Sequence, residues 1–217
     1  LMDEENVLTS SWGEYSPATK VSVFNYDVKL VNPQFVLTSD TLRYNTETKI
    51  ANIVGPSDIE SDENHIYSEL GFYHTQLGQA ELLKRSILVN GGKKLTGDSL
   101  FYDRNKGYGE AFSQVELVDT INKNMLTGNY CYYNQMTSYA LATDKAMATD
   151  FSQQDSMFVH GDTLQLVTFN LDTDSVYREI RAFHKVRIYR QDVQGVCDSL
   201  VFSSKDSCLT MFRDPIL

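Results

Sequence analysis

The feature that most limits what this chain can fold into is an internal repeat. Residues 95–103 read LTGDSLFYD, and Asp98 can be taken as the zero of one copy. Backward steps of 29 residues land on Glu69 in IYSELGFY, Asp40 in LTSDTLRY and Ser11 in LTSSWGEY. Forward steps of 31, 33 and 36 land on Asn129 in LTGNYCYY, Asp162 in VHGDTLQL and Asp198 in GVCDSLVF, seven copies in all. The first four align without a gap. Leu8, Leu37, Ile66 and Leu95 stand three before zero, and Tyr15, Tyr44, Tyr73 and Tyr102 stand four after. Later copies keep a large residue in that second column, as Tyr133, Leu166 and Phe202. A period of about thirty residues is the mark of an architecture stacked from one supersecondary unit.

Each copy has a second half. Nine after zero come Lys20, Lys49, Gly78 and Gly107, after polar runs such as NTET at 45–48 and DRNK at 103–106. That is turn chemistry between two strands. Eleven after zero stand Ser22, Ala51, Ala80 and Gly109; thirteen after, Phe24, Ile53, Leu82 and Ala111; nineteen after, Leu30, Ile59, Leu88 and Leu117. The fifth copy continues these columns with Ala140, Ala142 and Ala148. In the sixth, about seven extra residues fall near 170–175 before Val186 and Ile188 resume, and the seventh ends on Leu209, Met211 and Leu217. Even spacing puts these residues on one face of a strand, with Asn52, Glu81, Glu110 and Glu116 on the other.

One copy therefore reads as an antiparallel strand–turn–strand with a single apolar face. A lone hairpin cannot bury such a face, whereas stacked copies can. The expected fold class is all-β: a repeat-built β-jellyroll, or folded two-walled antiparallel sheet. It forms one domain over 1–217, with repeats near 7–31, 36–60, 65–89, 94–119, 126–150, 159–190 and 195–217. Thirteen Tyr, eleven Phe and only four Pro agree with strands. One strand spacing per copy gives a wall of about 34 Å. The recurring Asp is expected to bond backbone N–H groups where a strand bends from wall to wall, and the recurring Tyr to form a ladder.

Several functions are excluded early. A net charge of -10 suits neither nucleic-acid phosphates nor an anionic membrane surface. No apolar run reaches transmembrane length. The opening LMDEEN has neither the basic nor the apolar segment of a signal peptide, which a processed chain would lack as well, so it says little about export. Three cysteines without C-x-x-C make neither a disulfide scaffold nor a zinc module, and no pair of the four histidines falls at helical ligand spacing. No metal or other cofactor is expected. The letters Gly97-Asp98-Ser99-Leu100 match a serine-esterase signature, but Ser99 fills a variable column otherwise held by Trp12, Thr41, Leu70, Tyr130, Thr163 and Ser199. The triad partners fail as well. The chain's Asp-x-x-His is Asp62 to His65, upstream of Ser99, while Met157 and Arg181 stand three before His160 and His184. No residue is assigned a catalytic role.

The motif L-T-[GS]-D-x-[LV]-x-Y, followed by a turn and a strand such as AFSQVELV at 111–118, resembles the OstA-like repeat. This is the repeat of the lipopolysaccharide-transport periplasmic proteins, the LptA, LptC and LptD amino-terminal group. The stretches RAFHKVRIYR at 181–190 and MFRDPIL at 211–217 resemble its Bacteroidetes-type members. The resemblance covers residues 7–217 and implies a taco-like jellyroll that holds lipid A acyl chains between its walls. It also implies a non-enzymatic role in the periplasm or cell envelope, lipopolysaccharide as ligand, and edge-to-edge strand addition with other such domains. The sequence stops in mid-strand at Leu217, so a longer parent protein is expected. The apolar columns that would line the groove are Ile53, Ile59, Leu82, Leu88, Ala111, Val115, Leu117, Ala142, Ala148, Val186 and Ile188. Two other readings remain: a spacer whose interior is filled by its own side chains, and a carbohydrate-processing solenoid using the stacked Asp40, Glu69 and Asp98 beside Tyr44, Tyr73 and Tyr102. The small column of Ala51, Ala80, Gly109 and Ala140 argues against the spacer, because it leaves room.

Overall fold

The computed structural model describes residues 6–61, 64–121, 123–206 and 208–217, so Asp62 of the Asp-x-x-His pattern lies outside the described residues. Strands account for the described secondary structure, and no helix occurs among these residues. The chain divides into two compact units, Leu1–Lys106 and Gly107–Leu217. In the first, β1 (Val7–Thr9) and β2 (Trp12–Ser16) both pair with β3 (Val21–Asn32). The series continues through β4 (Phe35–Asn45), β5 (Ile50–Glu60), β6 (Asn64–His74), β7 (Gln79–Asn90) and β8 (Lys93–Asp103). The second unit runs β9 (Tyr108–Asp119), β10 (Asn124–Asn134), β11 (Tyr139–Asp150), β12 (Met157–Phe169), β13 (Tyr177–Arg190), β14 (Val193–Ser203) and β15 (Cys208–Phe212). Within each unit consecutive strands pair antiparallel, so the all-β, repeat-built class holds.

The turns follow the repeat. Five after zero, a side chain accepts a hydrogen bond from a turn N–H: Ser16 from Thr19, Asn45 from Glu47 and Thr48, His74 from Leu77, Asp103 from Lys106, Asn134 from Thr137. Nine after zero, Lys20, Lys49, Gly78, Gly107 and Ser138 all adopt positive φ, between 49° and 64°. That left-handed residue closes the turn, which is why glycine recurs there. The extra residues of the sixth copy do form a longer turn between β12 and β13, where Thr173 and Asn170 bond back on the loop.

The walls are made differently from the one-strand-per-wall expectation. The two strands of a copy pair directly, Leu42 opposite Ile53 and Leu37 opposite Ile59, and each strand runs through both walls with a corner midway. A copy thus adds two strand spacings, about 9.6 Å, to each wall. The corner is built by bulges. Asp40 is a single residue facing two residues on either side, Tyr26-Asp27 of β3 and Gly55-Pro56 of β5. The same interruption recurs at Lys84-Arg85, Ser113-Gln114, Asp144-Lys145 and His184-Lys185, all containing positive-φ residues. Such bulges bend and twist a strand. Two residues opposite one is one extra residue on the bulged strand, and Ala51 and Ile53 before the bulge and Ser57 and Ile59 after it, all an even number apart, stay on the buried face.

The inside of the corner must be narrow, and the residue before zero is small in every copy: Ser10, Ser39, Ser68, Gly97, Gly128, Gly161, Cys197. In the first unit, buried serines bond in pairs, Ser39 with Ser57 at 2.6 Å and Ser68 with Ser86 at 2.9 Å. Ser86 also donates to Lys84 O at 2.8 Å and Ser57 to Gly55 O at 3.0 Å. These hydroxyls satisfy carbonyls that the bulge takes out of the ladder. From Gly97 onward the position holds glycine or cysteine in place of serine, as Gly97, Gly128, Gly161 and Cys197; a Cβ at Gly128 would lie 2.9 Å from Thr143 O.

Candidate functional site: the space between the walls

In the first unit the walls meet. Tyr44 and Tyr73 flank Ala51, and Tyr73 and Tyr102 flank Ala80. Tyr44 and Tyr73 are buried, and burial raises the Tyr73 phenol above its ordinary pKa. The small column therefore does not leave room here: the rings of both neighbouring strands fill it. Phe35, on the other side of the bend, meets Tyr73 edge-to-face at 5.0 Å, and such pairs add about 0.5–1.5 kcal/mol beyond area burial. Leu37, Leu42, Ile53 and Leu82 are fully buried between the walls.

In the second unit the same columns read differently. The cross-strand row is Gly109, Tyr133, Ala140, Leu166, Ile180, Phe202 and Leu209. Leu166 stands where the first unit has tyrosine, and Ala140 beside it is still small. A cavity of about 270 Å³ opens here. One side carries Leu164, Leu166, Ile180, Leu200 and Phe202 from beyond the bend; the other carries Leu117, Leu126, Ala148, Val159 and Ile188. Its hydrogen-bonding side chains are Asn124, Thr149, Asp150 and Gln165, and Asp150 is its only charge. Asp150 accepts a bond from the Ser152 N–H at 2.7 Å. An apolar cleft with few polar groups is the ordinary form of a small-molecule site.

A family model described as "OstA-like protein" matches residues 1–40 and 45–150. This chain belongs to the OstA-like family. Among solved structures, it is similar to LptH, the LptA homologous periplasmic component of the conserved lipopolysaccharide transport device from Pseudomonas aeruginosa. That likeness is 16% identical, covers 52% of this chain and 93% of LptH, and has a TM-score of 0.49. No curated protein sequence matches.

The groove residues expected from the sequence are distributed across this OstA-like chain in three settings. Leu117, Ala148 and Ile188 line the cavity of the second unit. Ala111, Val115, Ala142 and Val186 are fully buried in that unit, Val115 opposite Gly128 and Val186 opposite Cys197 at the corner. Ile53, Ile59 and Leu82 are buried in the first unit's core, and Leu88 is half-buried opposite Ile66 and Leu95. Sequence reasoning took columns from the second strand of each copy. Among the lining residues it missed, Leu126 and Val159, three before zero, and Leu164, Leu166, Leu200 and Phe202, two and four after, come from the first strand, while Ile180 and Leu209 come from the second. The signal for Leu166 and Phe202 was available: the tyrosine of the early copies gives way to leucine and phenylalanine in the late ones.

The acidic column lies on the corner, away from the tyrosines. Glu69 faces Lys84 at 3.8 Å, Asp98 faces Arg85 at 3.6 Å, and Asp198 faces Arg213 at 3.3 Å. Asn129 donates to Asp144 at 3.0 Å and accepts from the Gln114 N–H at 3.5 Å. The column does mark the bend, but its partners are mostly bulge side chains rather than backbone N–H groups. As exposed pairs these are worth little individually. With Asp40 and Glu69 exposed and Tyr44 and Tyr73 buried, acids and rings do not form the shared face a glycan-processing site needs. Ser99 stands opposite Leu83, whereas the bonded His65–Asp58 pair lies beside Val89 and Glu60, so strand register separates them. Among the described residues no three His, Cys, Asp or Glu side chains gather as a metal site.

Proposed function

We propose that this chain is a non-enzymatic lipid-binding module of the lipopolysaccharide-transport bridge type, working in the periplasm. The apolar cavity of the second unit carries the proposal: it takes side chains from both walls, as a site for an acyl chain requires. Each CH₂ buried there contributes about 0.8 kcal/mol, so affinity needs no elaborate polar recognition. On this reading the ligand is the acyl portion of lipid A, and the module joins others of its kind edge to edge by strand addition. A photo-crosslinking residue at Leu117 or Ile188 is expected to capture lipopolysaccharide in cells; one at Leu82, inside the packed first unit, is not. Crosslinks to protein alone from both cavity positions would refute the reading.

The packing of the first unit favours a second role for that part of the chain. With Phe35 against Tyr73 and the leucines closed between the walls, it acts as a rigid spacer. Lipid crosslinking from Leu82 at the level seen from Leu117 would exclude the spacer role.

A further inference from the structure

The size and lining of the cavity say more about its ligand than that it is apolar. This step rests on the lipid-binding reading above. An apolar protein cavity of about 150 Å³ accommodates one benzene ring, which is about 25 Å³ per carbon. At that ratio the 270 Å³ here hold roughly ten or eleven carbons, one chain segment rather than a bundle of tails. The head end is constrained too. Leu117, Ala148 and Ile188 offer nothing to a charged group, and the one ionisable lining residue is Asp150. A carboxylate beside the chain's head repels a phosphate, sulfate or carboxylate and tolerates a hydroxyl, an amine or an ammonium. The overall charge of -10 works in the same direction.

We propose that the cavity seats a single unbranched alkyl segment of about ten carbons, whose head beside Asp150 is uncharged or cationic. A lipid with several tails then places one of them here and keeps its phosphates away from Asp150, which ends β11 opposite Asn124 and Met157.

The test uses the full chain and calorimetric titration with n-alkyl alcohols from hexanol to tetradecanol. Binding is expected at one molecule per chain, tightening roughly four-fold per added CH₂ and levelling off near ten carbons. Decanol and decyltrimethylammonium are expected to bind about ten-fold tighter than decyl sulfate. Asp150→Asn, which retains an oxygen for the Ser152 N–H, is expected to close that gap to about two-fold. Ala148→Trp is expected to bring the plateau down by several carbons, with the strand signal in circular dichroism confirming its fold. Steady gains through tetradecanol, two alcohols per chain, or decyl sulfate matching decanol would each overturn the single-segment proposal while leaving lipid binding intact. No binding of any alkyl chain would overturn lipid binding itself.

Discussion

The serine pairs inside the corner of the first unit make a quantitative prediction. Ser86 is fully buried and its hydroxyl has Lys84 O at 2.8 Å, Leu83 O at 3.3 Å and Ser68 Oγ at 2.9 Å. Ser86→Ala removes the hydroxyl and leaves buried acceptors that no solvent can reach. An unsatisfied buried polar group costs about 1–3 kcal/mol. With a urea slope of about 2 kcal/mol/M, a loss of about 2 kcal/mol moves the midpoint by about 1 M at unchanged slope. The single tryptophan, Trp12, lies in the same unit and reports its unfolding by fluorescence. Ser68→Ala is expected to cost a similar amount. Because the two hydroxyls share one bond, the double variant is expected to fall short of the sum by about 0.5–1 kcal/mol. A midpoint for Ser86→Ala within 0.2 M of the parent, on the order of the smallest resolvable shift, would refute the account. So would strict additivity, which would show that the hydroxyls do not act on one another.

Gly71→Ala is expected to destabilise by about 1–3 kcal/mol, because its Cβ would lie 2.5 Å from Glu81 O, a backbone atom that cannot swing aside; urea denaturation measures it. Burial pushes the Cys131 thiol up to about 12 and also raises Cys197, whereas Cys208 is exposed. A thiol reagent at pH 8 is therefore expected to modify one cysteine per native chain and three after denaturation. The raised Cys131 pKa contributes stability that is complete below the unfolded value near 9 and lost as pH climbs towards 12. Asp103 is the opposite case: the Gln79 side chain donates to it at 2.8 Å and holds its carboxyl below the ordinary 3.8. Its stabilisation is present above pH 3.8 and lost as pH falls through the lower folded value. Gln79→Leu is expected to raise the Asp103 pKa in an NMR titration.

How much of this was legible beforehand differs from column to column. Tyr44, Tyr73 and Tyr102 at constant spacing announced a stack, and Lys49, Gly78 and Gly107 announced its turns, because a turn's positive φ is a local demand on local residues. The corner was half legible. Asp40, Glu69 and Asp98 marked its place, but Lys84-Arg85 and Asp144-Lys145 read only as polar letters until their register showed two residues facing one. Conversely, Ala51 and Ala80 looked like empty space and proved to be full, since the rings that occupy it come from both neighbouring strands.

The sequence by itself determined the repeat, the strand–turn–strand unit and the buried face. These follow from period and alternation, which a chain carries along its own length. Only the tertiary structure decided where the walls touch. Closure depends on side chains meeting across the bend, Phe35 against Tyr73 in one unit, Leu166 and Phe202 across from Ala148 and Ile188 in the other. Such residues belong to different strands and opposite walls, so no spacing rule relates their volumes. A summed volume, rather than a pattern, separates a packed core from a cavity of about 270 Å³.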